Sequence, residues 1–297
     1  MKTDLYSQID ANKQKTYLIV FLFIAIIVSL VYVLSRVFLS EADMYFFVPL
    51  SILFSTGSAV SSFFWGDKMV LAISGAKKSE GSEFFEYNKL TENISIVAGI
   101  KTPNTYYIID SAPNAFATGR DPNHASVCVT TGLLQKLNRA ELEGVIAHEI
   151  AHIKNFDTRL MVIVSILAGF VAIIADYALR HMFYSKSNDD DRKSVPPFLL
   201  IFGIVLIIFA PIAAELIKLA ISRNREYLAD ATGTYFTRYP KGLADALQKI
   251  SSDKEPLEMA NSGTAHLYIS DPFKKRLFSF LSTHPPIEER VKRLNEM

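Results

Sequence analysis

The hydrophobic pattern of the chain is dominated by four long apolar stretches. Apolar side chains predominate over 17–39, 45–65, 160–179 and 197–221. A helix rises about 1.5 Å per residue, so about 20 apolar residues cross the roughly 30 Å hydrocarbon core of a bilayer. The pattern therefore predicts about four transmembrane helices, arranged as two hairpins over 17–66 and 160–221.

The segments that follow these hairpins have the mixed pattern of a folded domain. After the first hairpin, apolar residues at helical spacing over 83–99 precede three runs typical of short strands. These runs cover 106–109, 114–119 and 125–130. Asn138 and Glu141 then form a capping-box pattern, which predicts the start of another helix. The sequence thus predicts an α+β domain of the zincin-like kind, mainly helical with a small sheet, fused to the transmembrane helices.

The charge pattern predicts how the chain is oriented. Lysines flank the start of the first span and the end of the second, whereas acidic residues occupy the turn between them. Under the positive-inside rule, these flanks are cytoplasmic. We therefore expect a cytoplasmic N-terminus (1–16) and a cytoplasmic domain in two parts (67–159 and 222–297), with both termini on the same side of the membrane.

Composition narrows the class of protein. Hydrophobic residues make up 50% of the chain, which is typical of a protein with membrane segments. The net charge is +1 and no basic patch is present, so we expect no nucleic-acid partner. Cys128 is the single cysteine, so no disulfide can form within the chain, and its strand-like surroundings indicate a buried apolar position.

Candidate chemistry is concentrated in the helix predicted after Asn138, at His148, Glu149 and His152. Two histidines four residues apart leave the same face of a helix, where their ring nitrogens can reach one zinc ion. The carboxylate between them lies near the open position of the metal and can take a proton from an attacking water. The alternative is a solvated helix with two ordinary histidines, which the five-residue pattern alone does not exclude.

A catalytic zinc site needs a third protein ligand. The candidates are downstream carboxylates and the other histidines, His124, His181, His266 and His284. Glu226 and Asp230 stand out because they are four residues apart, share a helix face and directly follow the fourth predicted span. An antiparallel hairpin of spans three and four brings them to the bilayer surface at which the two histidines lie. Glu226 is then a candidate oxygen ligand and Asp230 a candidate acceptor for the outer N–H of a histidine, with a solvated helix end as the alternative.

Together these residues resemble the M48 family of zinc metallopeptidases, and within it the HtpX-type membrane proteases. The resemblance rests on the pentapeptide 148–152 and on the block 225–230. It extends to 114–119, to 130–134 and to the Thr-His-Pro-Pro motif at 283–286 with the Glu-Arg pair that follows it. The resemblance covers essentially the whole chain.

The resemblance implies a role for each of these positions. His148, His152 and Glu226 are expected to bind one Zn²⁺ per chain, with Glu149 as general base and Asp230 beside a ligating histidine. His284 is expected to approach the active site and to help stabilise the oxyanion of the tetrahedral intermediate. An edge strand is expected to bind an extended peptide through main-chain hydrogen bonds. Its residues are Asn114, Ala115, Phe116, Ala117 and Thr118.

The resemblance also implies a function. It predicts an endopeptidase that cleaves misfolded or damaged membrane proteins at the cytoplasmic face, as part of protein quality control and stress response. The expected partners are polypeptide substrates and the lipid bilayer, and the expected location is the plasma membrane, crossed several times. The sequence gives no indication of the oligomeric state.

Two other functions fit parts of the same pattern. One is a silent membrane scaffold that uses zinc to clamp the spans to the domain, but a structural site needs no base such as Glu149. The other is a peptidase for prenylated C-termini, which would need an enclosed chamber that four helices can hardly build. Casein and a prenylated peptide, each with and without a chelator, separate the three possibilities.

Overall fold

The structure, a computed structural model, describes residues 5–38, 41–166, 223–258, 264–273 and 285–297. The helices in these ranges are α1 (Leu5–Phe38), α2 (Glu41–Ile73), α3 (Phe85–Ala98), α4 (Thr131–Lys136), α5 (Arg139–Lys154), α6 (157–166), α7 (Arg223–Thr237), α8 (Pro240–Ser252) and α9 (Ile287–Asn295). The strands are β1 (Lys77–Lys78), β2 (Asn104–Ile108), β3 (Ala115–Asp121) and β4 (His124–Thr130), and 3₁₀ turns cover Ser82–Phe84 and Ala265–Leu267.

Most of the elements predicted for the domain form close to their expected positions. The three strand-like runs become β2, β3 and β4, and α3 ends at Gly99, whose φ of 69° closes the helix. Helix α5 begins with the predicted capping box. Asn138 Oδ1 accepts from the Glu141 N–H at 3.0 Å, and Glu141 Oε2 accepts from the Asn138 N–H at 2.8 Å. β1 consists of two exposed lysines without a hydrophobic pattern and was not predicted.

Helix α1 covers 17–38 of the first predicted span and α2 contains the second, and both helices extend beyond these spans. α1 begins at Leu5, and α2 continues to Ile73. Within the described ranges, one segment, Val48–Ile73, is long and apolar enough to cross a membrane. Most of the predicted spans 160–179 and 197–221 lies outside the described residues. The mainly helical fold with a small sheet is confirmed, and the set of four spans stays a prediction.

The sheet is mixed and has β3 at one edge. Its strand order is β1-β2-β4-β3, with β2 parallel to β4 and the other two pairs antiparallel. In the last pair, Ala115 lies opposite Val129 and Ala117 opposite Val127. β3 therefore has one side of its backbone bonded to β4, and its other side faces away from the sheet.

Helix α5 is the central element of the core. It packs against β3 and against α3, α7 and α8, and it is buried continuously from Gly144 to Ile153. Gly233 of α7 permits a close approach, because a Cβ at this position would lie 2.9 Å from the backbone nitrogen of His148. The backbone of α7 therefore lies directly against the turn of α5 that carries the first histidine.

Candidate metal centre

The two histidines of α5 point at the same place. His148 and His152 are one helical turn apart and only 1% and 4% exposed. Their Nε2 atoms are 3.1 Å apart. The spacing of four residues has placed two donor atoms side by side, as predicted, and burial rules out the alternative of two solvated histidines.

Glu226 of α7 completes a cluster of three donors. Its Oε1 lies 3.6 Å from His152 Nε2, and its Oε2 lies 3.7 Å from His148 Nε2. The candidate donor atoms of the three buried residues all lie within 4.8 Å of one another. Ligand atoms about 2.0–2.1 Å from a tetrahedral zinc lie roughly 3.3 Å apart. The donor set and its spacing therefore fit a metal ion with three protein ligands.

Asp230 and Arg290 surround the outer side of His148. Asp230 Oδ1 is 3.0 Å from His148 Nδ1. The guanidinium of Arg290, which is fully buried in α9, binds Asp230 through two hydrogen bonds of 2.7 and 2.9 Å. Its Nη1 also lies 3.3 Å from Glu226 Oε2. Asp230 thus contacts the outer nitrogen of His148, and Arg290 joins it to the third candidate ligand.

Asp157 has the corresponding position beside His152. Its Oδ2 is 3.0 Å from His152 Nδ1, and the residue has no solvent exposure. A carboxylate at each outer nitrogen favours the tautomer with hydrogen on Nδ1, which leaves the Nε2 lone pairs of both rings directed at the shared point. Both candidate ligands are therefore oriented for metal binding by a buried acid.

The two imidazoles differ in electrostatics. Burial, reinforced by the charge of Arg290, lowers the pKa of His148 to about 4. Burial acts in the same direction on His152, but the hydrogen bond with Asp157 and the charge of Glu226 outweigh it and raise the pKa to about 9. Arg290 binds the acid beside His148 through two hydrogen bonds, whereas the arginine nearest the acid beside His152, Arg225, is 3.8 Å away.

Glu149 lies between the cluster and the sheet. It is 2% exposed, and burial raises the pKa of its carboxyl to about 7, while the backbone N–H of Ala117 donates to the carboxylate and opposes the rise. A carboxyl with a pKa near 7 can both accept and return a proton at neutral pH. Its position and its pKa are those that a general base needs.

The predicted substrate strand is present but covered. Residues 114–118 are all buried. The outward side of β3 presents the backbone groups of Ala115 and Ala117, since Asn114 O is bonded inward to Thr130 N. Ala115 O accepts from Ile269 N at 2.9 Å, and Asn114 Nδ2 donates to Ser270 O at 3.1 Å. A segment of the chain itself therefore lies along the edge at which a peptide was expected.

The remaining histidines have other surroundings. His124 is exposed and pairs with Asp121, and His266 is buried with its Nε2 3.0 Å from Ser165 Oγ. His181 and His284 lie outside the described residues, so the expected role of His284 stays a prediction. None of the histidines that the structure describes, apart from His148 and His152, joins the cluster.

Arg290 and Asp157 are site residues that the sequence reasoning did not assign. The feature that could have indicated Arg290 is its position on one face of α9 together with the apolar residues Val291 and Leu294. Asp157 offered a weaker one, an acid at the start of a helix just after the two histidines. Neither signal points to a metal centre without the tertiary contacts.

The α+β fold thus holds a buried His-His-Glu cluster that could bind a metal ion, with an acid beside it and a sheet edge along it. A model described as peptidase family M48 matches residues 84–297. The chain belongs to family M48, and it is a metalloprotease.

Full-length relatives support the assignment. The Protease HtpX homolog of Caldanaerobacter subterraneus subsp. tengcongensis is 42% identical over 299 residues, which cover 100% of this chain and 99% of the relative. The homologs of Thermoanaerobacter pseudethanolicus and Tropheryma whipplei (strain Twist) are each 43% identical, over 99% of this chain and 98% of their own length.

A solved structure shares the fold. The crystal structure of S. mikatae Ste24p superposes with a TM-score of 0.50 at 20% sequence identity. The match covers 93% of this chain, which spans 62% of the length of that protein. At this level of identity the likeness concerns the fold alone.

Proposed function

We propose that this protein is a zinc-dependent endopeptidase that works at a membrane surface and holds one Zn²⁺ per chain through His148, His152 and Glu226. The observation that carries the proposal is the buried donor cluster, whose nitrogen and oxygen atoms are separated by 3.1, 3.6 and 3.7 Å. Two neutral imidazoles and a carboxylate form a donor set that zinc accepts readily in catalytic sites.

The reaction is peptide-bond hydrolysis. Bound zinc supplies a Lewis acid that polarises the scissile carbonyl and makes the attacking water more acidic. Glu149 accepts the proton of that water and delivers it to the leaving amine. Asp230 and Asp157 keep the two histidines in the tautomer that binds the metal, and His284 is proposed as the donor to the oxyanion.

The substrate is proposed to be an extended polypeptide that pairs with β3. The backbone N–H of Ala117, on the outward side of β3, donates to Glu149, so a peptide added at this edge would pass the general base. Residues 268–270 lie along the same edge, and substrate entry therefore requires them to move away from Ala115. Backbone pairing tolerates many side chains, which suits a protease that removes damaged or misfolded proteins.

A membrane location is supported by the surface of α2. Its candidate span exposes large apolar side chains, which is costly in water and favourable in lipid. These include Leu50, Leu53, Phe54, Phe64 and Trp65. We propose a multi-pass protein of the plasma membrane that acts on membrane proteins at the cytoplasmic face, with the orientation set by its lysine-rich flanks.

The variant Glu149→Gln tests the proposed mechanism. It removes the proton acceptor and leaves the three donors in place, so we expect a full zinc content and a cleavage rate of unfolded casein about 100- to 10,000-fold lower. Glu143→Gln, a half-buried change on the same helix, is the matched control and should cleave normally. Cleavage by Glu149→Gln at the wild-type rate would contradict the mechanism. Preference for a prenylated peptide over casein would contradict the proposed substrate class.

A further inference from the structure

The N-terminal part of α1 reaches the outer side of the metal centre. Asn12 is only 2% exposed. Its side-chain amide donates two hydrogen bonds, to Asp157 Oδ1 at 2.7 Å and to the carbonyl oxygen of Asn155 at 3.0 Å. Asn155 lies in the turn that follows α5, and Asp157 is the first residue of α6. A residue of the first helix therefore contacts the segment that orients the second candidate ligand.

The two carboxylate oxygens of Asp157 have different partners, one in α1 and one in the metal centre. Oδ2 lies 3.0 Å from His152 Nδ1, and Oδ1 accepts from Asn12. A carboxylate is planar and rigid, so holding one oxygen also sets the direction of the other. The contact with Asn12 thereby determines where the imidazole of His152 finds its hydrogen-bond acceptor.

The turn that precedes Asp157 is braced by contacts from outside it. Phe156 has a φ of 59°, a left-handed conformation that is uncommon for a bulky residue. The ammonium group of Lys13, also on α1, lies 4.8 Å from the centre of the Phe156 ring. Farther along α1, Ile19 packs in one cluster with Leu160 and Ile163 of α6. Several contacts along α1 thus keep Asn12 at a fixed distance from the turn.

Asn12 makes the short contact to Asp157 Oδ1. The Nε atom of Arg225 is 3.8 Å from the same oxygen, which is longer than a hydrogen bond. An amide is a neutral donor, so it holds the carboxylate without competing with His152 for its charge. This distinguishes the His152 side from the His148 side, where Arg290 binds both oxygens of Asp230.

We propose that Asn12 is a positioning residue of the metal centre. By holding Asp157, it orients the imidazole of His152 and slows the loss of the metal. The inference rests on the proposed zinc-dependent function and extends it to the first helix of the chain. The correct geometry of the metal centre then requires α1 to pack against the protease domain.

Cobalt substitution of the full-length protein in detergent tests this inference, because the visible spectrum of Co²⁺ reports the geometry of its ligands. Asn12→Leu keeps the branched shape and the number of side-chain heavy atoms and removes both N–H donors, and Asn12→Ala is a second variant. Gln14→Ala, at an exposed position of the same helix, is the matched control. We expect both Asn12 variants to show altered cobalt bands and roughly 10-fold faster metal release to a chelator, and the control to show neither.

A double variant shows whether Asn12 acts through Asp157. In a chain that carries Asp157→Ala, adding Asn12→Leu should not accelerate metal release further, because the shared partner is already gone. Additive effects would overturn the inference. An unchanged cobalt spectrum in Asn12→Leu would also overturn it, even with a lower melting temperature, since that result describes a purely structural contact. A wild-type protein that binds neither zinc nor cobalt would instead overturn the proposed function.

Discussion

The two sides of the candidate metal centre differ in structure, although each contains a histidine. His148 faces Asp230 and the fully buried Arg290, both on helices of the C-terminal part of the chain. His152 faces Asp157, whose second oxygen is held by a neutral amide from α1. The pKa of His148 is lowered to about 4 and that of His152 is raised to about 9.

The difference shows that burial alone does not determine the state of an imidazole. Burial lowers the pKa of both rings, and the net charge of the neighbouring groups decides the outcome. It also shows that the centre has two structural supports. One comes from α7 and α9, and the other comes from the helix that precedes the candidate membrane span.

The largest effect is expected from Arg290→Met. The substitution leaves Asp230 as a buried acid without its cation, and breaking a buried ion pair from one side costs about 3–5 kcal/mol. We expect a loss of this size in the free energy of unfolding, measured with urea on the metal-free protein. Arg293→Met changes an exposed arginine of the same helix and should cost about 1 kcal/mol or less. Equal losses in the two variants would show that Arg290 contributes no more to the free energy of unfolding than an exposed arginine does.

Asp230→Asn and Asp157→Asn compare the two acids directly. Each removes the carboxylate that orients one histidine, so each should weaken metal binding roughly 10- to 100-fold in a competition titration with a fluorescent chelator. Asp230→Asn also removes a charge that Arg290 binds through two hydrogen bonds, whereas Asp157 lies 3.8 Å from its nearest arginine, Arg225, so Asp230→Asn should destabilise the metal-free protein more. Similar unfolding free energies for the two variants would show that the two sides do not differ in the way described.

The pH dependence of metal-free stability should have opposite signs on the two sides. The folded-state pKa of His152 lies above its ordinary value of 6.5, so its contribution is complete below pH 6.5 and is lost as pH rises through about 9. The pKa of His148 lies below 6.5, so its contribution is present above pH 6.5 and is lost as pH falls towards about 4.

Asp157→Asn isolates the His152 side of this behaviour. The difference in unfolding free energy between wild type and this variant should shrink when urea denaturation is repeated at about pH 7 and then at about pH 9. The same difference should stay nearly constant at lower pH. A difference that does not change between pH 7 and 9 would contradict the charge assignment at His152.

The smallest effect is expected from Asn138→Ala, which acts on the helix common to both sides. Loss of the cap of α5 should lower the free energy of unfolding by about 1 kcal/mol. Because the cap lies more than two turns before His148, the cobalt spectrum should not change. Gln135→Ala, at an exposed position of α4, is the control and should be nearly neutral. A changed spectrum would mean that the cap and the metal centre are coupled.

Local patterns in the sequence were sufficient for the elements that carry the site. The capping box predicted where α5 begins, the spacing of the two histidines predicted their common direction, and three short strand-like runs predicted β2, β3 and β4. Glu226 could not be assigned from a local pattern, because its position near the histidines depends on the chain returning to the same surface about 70 residues later. The fold class and the three members of this candidate cluster could therefore be predicted, the latter with support from the family resemblance.

The supports of the centre could not be predicted in the same way. Arg290 stands in a helix with Lys292 and Arg293, and only packing makes one of these cations buried and the others solvated. Asn12 lies in a polar stretch with no periodic signal, and its partner Asp157 is 145 positions away. Such contacts depend on how the helices pack against one another. The intrinsic propensity of each residue for helix or strand carries no information about that packing.

The metal content of purified wild type, compared with that of Glu226→Ala, shows whether these residues form a zinc centre. We predict about one zinc per chain in the wild type and loss of that zinc in Glu226→Ala, since a catalytic zinc site needs three protein ligands. Glu143→Gln, which leaves the donor cluster intact, should retain its zinc. A full zinc content in Glu226→Ala would contradict the assignment of the third ligand and with it the centre described here.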